Sequence, residues 1–163
     1  MDGRPFTRKS KYRSKNFARS IPHSKVVRYN MGDPHKAFGF KYEIVSKEPI
    51  QIRHNALESA RQTINRQLER KIGKGQFYFR VRVYPHHIIR ENPLASGAGA
   101  DRMSTGMSKS YGKTIGIAAR VRKGQSIFEL NVNKNHTKAG KDILKRVFAK
   151  LPCGCTILES QNS

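Results

Sequence analysis

The chain of 163 residues carries 33 Lys and Arg against 11 Asp and Glu, a formal charge of +22. Its length suits one domain with a modest core, and so large a charge excess destabilises a compact state by self-repulsion unless a polyanion neutralises it. Nucleic acid is the expected partner, ahead of an anionic membrane surface; no run approaches the roughly 18 apolar residues of a membrane-spanning helix, and the start, MDGRPFTRKSK, lacks the apolar core of a secretory signal.

An intracellular protein is therefore expected. Residues 4 to 28 are rich in Arg, contain Ser and lack acids, as transit peptides do, but Pro5 and Pro22 interrupt any amphipathic helix. Residues 1 to 41 form a first unit, a basic arm. It holds Arg4, Arg8, Lys9, Lys11, Arg13, Lys15, Arg19, Lys25, Arg28, Lys36 and Lys41 against Asp2 and Asp33, with few large aliphatic residues and no sustained period. Such a segment should not order itself in water. Tyr12, Phe17 and Tyr29 among the cations suit an extended arm that pairs phosphates and stacks on exposed bases.

From residue 42 to 163 the pattern is that of a single α+β domain. YEIVSK and PIQIRH read as two short strands. Asn55 opens a helix running to about Lys71, with Leu57, Ala60, Ile64 and Leu68 on one face, and Gly73 and Gly75 end it. Arg61, Arg66, Arg70 and Lys71 lie off that stripe, as RNA contacts or as a plain solvated face. QFYFRVRVY at 76 to 84 alternates, with Phe77, Phe79, Val81 and Val83 inward and Tyr78, Arg80, Arg82 and Tyr84 outward. Two Arg between two Tyr suit stacking on bases and gripping phosphates, although charged solvent-facing residues on an edge strand fit equally well.

The histidines of YPHHIIRENP, His86 and His87, together with His54, raise RNA cleavage by general acid and base catalysis. Adjacent residues on an extended strand face opposite sides, which argues against a shared phosphate and for RNA contacts. Arg53, His54 and Arg90 join the same RNA-contacting set. The stretch SGAGADRMSTGMSKSYGK at 96 to 113 has no apolar face to bury and exceeds the roughly 12 to 15 residues typical of structureless loops. Gly97, Gly99, Gly106 and Gly112 permit close backbone approach, Arg102, Lys109 and Lys113 add phosphate contacts, and Met103 and Met107 pack adaptably. Asp101 is the lone acid, beside Arg102. The stretch reads as a finger extended from a rigid domain, so its deletion should leave the fold nearly intact.

TIGIAARVR and SIFELNV read as a hairpin across Lys123 to Gln125, with Ile115, Ile117, Ala119 and Val121 inward. A second helix over 137 to 151 places Ile143, Leu144, Val147, Phe148 and Leu151 on one side. A last strand, CTILE, follows the Pro152 to Gly154 turn. Two helices on an antiparallel or mixed sheet define an α+β fold. Cys153 and Cys155 lack the spacing and extra ligands of a zinc site and read as reduced thiols in a turn. No phosphate-loop or dinucleotide motif occurs, so neither cofactor nor metal is expected.

Several stretches resemble the universal large-subunit ribosomal protein family called L sixteen in bacteria and L ten e in archaea and eukaryotes. They are IPHSKVVRYNMGD at 21 to 33, IQIRHNALESARQTINR at 50 to 66, RVRVYPHHIIRENPLASGAGADRMSTGMSKSYGK at 80 to 113 and GIAARVRKGQ at 116 to 125, with wording closer to archaeal members. The resemblance implies a hammerhead-like core, a non-enzymatic place on the large subunit between the central protuberance and the stalk base, and binding to large-subunit rRNA. It also implies that the protein shapes the cleft accepting aminoacyl-tRNA. The stretch from Ser96 through Gly97, Ala98, Gly99, Ala100, Asp101, Arg102 and Met103 to Lys113 matches the loop facing the tRNAs and the peptidyl transferase centre. Neighbouring ribosomal proteins are implied partners, and no homo-oligomer is expected. A free RNA-processing enzyme or RNA chaperone is the alternative.

Overall fold

A computed structural model describes residues 20 to 91 and 113 to 161. In chain order these form β1 (Asn30–Gly32), β2 (Phe40–Ser46), β3 (Ile50–Arg53), α1 (His54–Lys71), β4 (Phe77–Val81), β5 (His87–Glu91), β6 (Lys113–Val121), β7 (Ser126–Val132), α2 (Thr137–Val147) and β8 (Cys155–Gln161). Single turns of 3-10 helix, Lys134–His136 and Phe148–Lys150, flank α2. The α+β class is as expected, but the strands make two antiparallel sheets, one of five strands ordered β1-β4-β7-β2-β8 and one of three ordered β3-β6-β5.

The helices follow their apolar spacing. Leu57, Ala60, Ile64 and Leu68 of α1 are fully buried. The helix stops where Gly73 takes a φ of +100°, with the Ile72 and Gly73 amides both donating to the Leu68 carbonyl. Ile143, Leu144 and Val147 bury one side of α2. The two helices touch each other, α1 packing on β3, β4 and β6 and α2 on β2, β7 and β8, so that one core spans both sheets. Phe79 and Phe128 meet within it at a ring separation of 5.6 Å. At the C-terminal edge, Tyr42 donates to Glu159 at 2.9 Å and Lys141 bonds the same carboxylate at 2.7 Å, tying β2, β8 and α2 together. Burial and the Glu159 contact push the Tyr42 hydroxyl pKa up to about 12.

Four expectations are corrected. The β6 and β7 strands do not form a hairpin: β6 pairs with β3 and β5, whereas β7 pairs with β2 and β4. The turn between them, with Gly124 at φ +78°, carries the chain from one sheet to the other, and β7, buried at Ile127, Phe128, Glu129 and Leu130, is the central strand of the larger sheet. The QFYFRVRVY segment pairs as a strand only to Val81. Its inside-outside alternation nevertheless continues through Tyr84 as the chain crosses to β5, steadied by the Arg82 amide donating to the Ile127 carbonyl. Third, β5 itself was not expected, because His87, Ile88 and Ile89 are all buried and leave no alternation to read.

Fourth, the segment expected to be an unordered arm folds over its second half. Val26, Met31 and Phe38 are buried and β1 pairs with β4. Residues 1 to 19 lie outside the described region. At the end of β1, Gly32 has φ +85°, and a Cβ there would run into the Phe77 carbonyl. Gly32→Ala should therefore combine left-handed strain with a backbone clash and lower unfolding free energy by about 2 kcal/mol or more. Thermal melting of the purified protein checks this, and an unchanged midpoint would show that β1 shifts away at no cost.

Candidate nucleic-acid interface

The chain crosses between the sheets without an intervening helix at three places, from β2 to β3, from β4 to β5 and from β6 to β7, and a fourth time through α1, from β3 to β4. The first and third crossings are hydrogen-bonded together: the Gly124 amide donates to the Ser46 carbonyl at 2.8 Å and the Ser46 amide to the Gln125 carbonyl at 3.2 Å. The second runs beside them. Along this seam opens a cleft of about 280 Å³ lined by Arg82, Val83, Tyr84, His86, His87, Arg120 and Gln125. Tyr84 is half exposed, stacked on Tyr29 at 5.3 Å and tilted against His86 at 4.3 Å.

The outward set of the β4 segment is partly tethered. Tyr78 donates to Asn30 at 3.2 Å, and Arg82 pairs with Glu129 at 2.9 Å. Glu129 is buried under its partners, with Lys41 3.8 Å away and itself 2.8 Å from Glu43. The acids here fix cations in place rather than forming an acidic site. Arg80, Arg82 and His86 remain exposed, as do Lys25, Arg28, Arg66, Lys113 and Arg120, while Arg53 and Arg90 are half-buried. Lys113 belongs to β6, opposite Glu91 of β5, rather than to the expected loop.

Three expected RNA contacts turn inward. Arg61 is buried: its guanidinium grips Glu58 at 2.6 and 2.8 Å and reaches the Met31 sulfur at 3.2 Å, which holds the Glu58 carboxyl below its usual range and raises Arg61. Its position one place after Ala60 hid this, because the stripe alone does not show that the strand carrying Met31 covers the flank. His87 is buried while its neighbour His86 is exposed, so the two do face opposite ways.

His54, the first residue of α1, is also buried. It lies over Gly116 of β6 and accepts a hydrogen bond at Nδ1 from the Lys25 amide at 3.3 Å. Burial, then the nearby Lys25 and Arg53 charges, lower its pKa below 6.5. Arg4, Arg8, Lys9, Lys11, Tyr12, Arg13, Lys15, Arg19 and the loop residues from Ser96 to Lys109 lie outside the described region.

Other chemistry is sparse. Cys153 and Cys155 are free thiols with sulfurs 3.5 Å apart, and burial pushes the Cys155 thiol pKa up to about 12, which suppresses thiolate reactivity. Among the described residues no His, Cys, Asp and Glu group is arranged to hold a metal ion, and no helix is long and apolar enough to cross a membrane.

Residues 4–158 match the ribosomal protein L16p/L10e family. The chain belongs to that family. It is 47% identical to the large ribosomal subunit protein uL16 of Methanococcus maripaludis, over 90% of this chain and 85% of that one. It is 42% identical to the uL16 of Methanoculleus marisnigri, over 94% and 90%, and 43% identical to that of Hyperthermus butylicus, over 92% and 80%. These sources are archaeal, as the wording of the motifs led one to expect. Membership makes the chain a structural, non-enzymatic ribosomal component that associates with the ribosome and its rRNA. The alternative of a free processing enzyme or chaperone finds no support.

Two outcomes follow from the inward-facing residues. Because the fold holds His54 neutral, the unfolded chain takes up its proton first; stability is complete above about pH 6.5 and falls as pH drops towards the lower folded pKa. Urea midpoints at pH 7.5 and 5.5 should show that loss in wild type and a smaller one in His54→Gln. Arg61→Ala leaves the Glu58 carboxylate without its main partner and should cost about 1–3 kcal/mol in urea unfolding. Exposed Arg66→Ala should stay within about 0.5 kcal/mol. At fixed salt, RNA affinity should fall for the Arg66 variant and not for the folded Arg61 variant.

Proposed function

We propose that this protein supports the aminoacyl-tRNA site of the large subunit by anchoring to large-subunit rRNA through its exposed cations and extending residues 96 to 112 towards tRNA near the peptidyl transferase centre. The observation that carries this reading is the charge: with 33 cations and 11 acids, most Lys and Arg have no acid available within the chain. The contacting set comprises the basic residues from Arg4 to Arg28, with Arg53, Arg66, Arg80, Arg82, His86 and Arg90. Arg61, His54 and His87 act from within, by packing the domain. Residues 1 to 19 serve as the rRNA-binding arm, and residues 20 to 91 and 113 to 161 as the folded body.

The tRNA-facing role rests on the loop's attachment. β5 and β6 pair up to Glu91 and Lys113, so the intervening segment leaves one end of the three-stranded sheet with both roots held. Neighbouring ribosomal proteins meet the remaining surface, and the assembly works in the cytoplasm, where translating ribosomes reside.

Sedimentation through sucrose gradients at moderate and high salt tests the reading. Wild type should travel with large subunits and translating ribosomes. Deletion of 96–112, which spares Lys113 and its strand, should leave the fold intact but shift the profile towards unassembled or non-translating particles. For the isolated protein, the logarithm of RNA affinity should fall with the logarithm of salt at a slope of roughly 0.7 to 0.9 per phosphate neutralised. Protein confined to light fractions, or salt-insensitive binding, would reject the proposal.

A further inference from the structure

We infer that the seam cleft is the seat of a single unstacked rRNA nucleotide, its base against Tyr84 and His86 and its phosphate on Arg82 and Arg120. The inference rests on the RNA-binding reading above and says where on the protein one base is captured.

The aromatic geometry is the first support. Tyr84 is half exposed although its ring is held by Tyr29 on the segment leading into β1 and by His86 two residues on. A ring already immobilised loses little conformational entropy when a planar partner covers it, and base stacking on such a ring is indifferent to base identity. Both Tyr84 and His86 line the cleft, so a base can reach the rings from inside it.

Charge is the second. Among the described residues two Arg and two His line the cleft, and no acid does. Glu129 takes one Arg82 N–H at 2.9 Å and holds the guanidinium in place without covering it, since the Arg82 side chain stays 41% exposed. Arg120 comes from β6 in the other sheet, is exposed and lines the same cleft. A phosphate between them meets donors presented by two separate elements, which suits an anion entering from outside.

Size and rigidity are the third. At about 280 Å³ the cleft sits at the lower end of small-ligand pockets, roughly 300 Å³, which admits one nucleotide but no strand. Its walls are crossing segments whose backbones are hydrogen-bonded to the neighbouring crossing or to β7, so the opening is present before RNA arrives. A flipped-out or bulged nucleotide fits these terms; continuous duplex offers phosphates but no free base.

The test uses the full chain and two RNA hairpins of equal length, one fully paired and one with a single bulged 2-aminopurine. Wild type should bind the bulged hairpin more tightly and quench its fluorescence. Tyr84→Ala should weaken that complex roughly five- to hundredfold and abolish quenching, while leaving affinity for the paired hairpin unchanged. Tyr84→Phe should behave as wild type. Arg120→Ala, a variant that leaves the rings in place, should retain quenching and lower the salt slope on the bulged hairpin by about 0.7 to 0.9. Steep salt-dependent binding of both hairpins alike, without quenching, or equal losses on both from Tyr84→Ala, would overturn the cleft and leave the rRNA-binding reading standing. Salt-dependent binding of neither hairpin would reject both.

Discussion

Two backbone hydrogen bonds, from the Gly124 amide to the Ser46 carbonyl and from the Ser46 amide to the Gln125 carbonyl, hold together two of the four places where the chain changes sheets. Neither sheet is self-sufficient. The smaller has three strands of which β3 is four residues long, and β1 at the edge of the larger has only three. Pinning the crossings lets both sheets share one apolar core under α1 and α2, and it aligns the β4 to β5 segment beside the other two. The cleft, the half-exposed Tyr84 and the outward arginines all take their positions from that arrangement.

The acids illustrate how a protein of this charge uses scarce counterions. Glu58, Glu129 and Glu159 each sit where one element must be joined to another or one cation held: Glu58 with Arg61 beneath β1, Glu129 with Arg82 on the central strand, Glu159 with Tyr42 and Lys141 between the terminal strand and α2. Coulomb attraction of exposed pairs is weak in water, whereas the partly buried Glu58–Arg61 pair also satisfies hydrogen bonds and covers apolar surface. The excess of 33 cations over 11 acids is left to an external polyanion, which also relieves their mutual repulsion.

Much of this was legible in the sequence, for physical reasons that also explain what was not. The α1 face and the alternation from Phe77 to Tyr84 could be read because one side of each element is wet, giving a period. β5 and the two-sheet division could not. His87 to Ile89 are buried on both sides and show no period, and neighbouring strands joined by a short turn look like a hairpin whether or not they pair. Polar residues that fold inward are equally invisible to pattern: His54 and Arg61 are hidden by segments far away in sequence, the Lys25 backbone and Met31. Of the cleft's lining, Arg82, Tyr84 and the histidines could be read from their own stretch, whereas Arg120 and Gln125 arrive from β6 and the turn after it and left no local sign.

The pairing of Glu91 with Lys113 has a consequence for divergence among lineages. It brings the two ends of the intervening segment to ladder separation, about 5 Å, whatever lies between them. Closure entropy grows only with the logarithm of length, so doubling the insertion costs about 0.6 kcal/mol. Folding alone therefore sets little limit on the length of that segment, and what restrains its length and wording between lineages is its proposed reach towards tRNA.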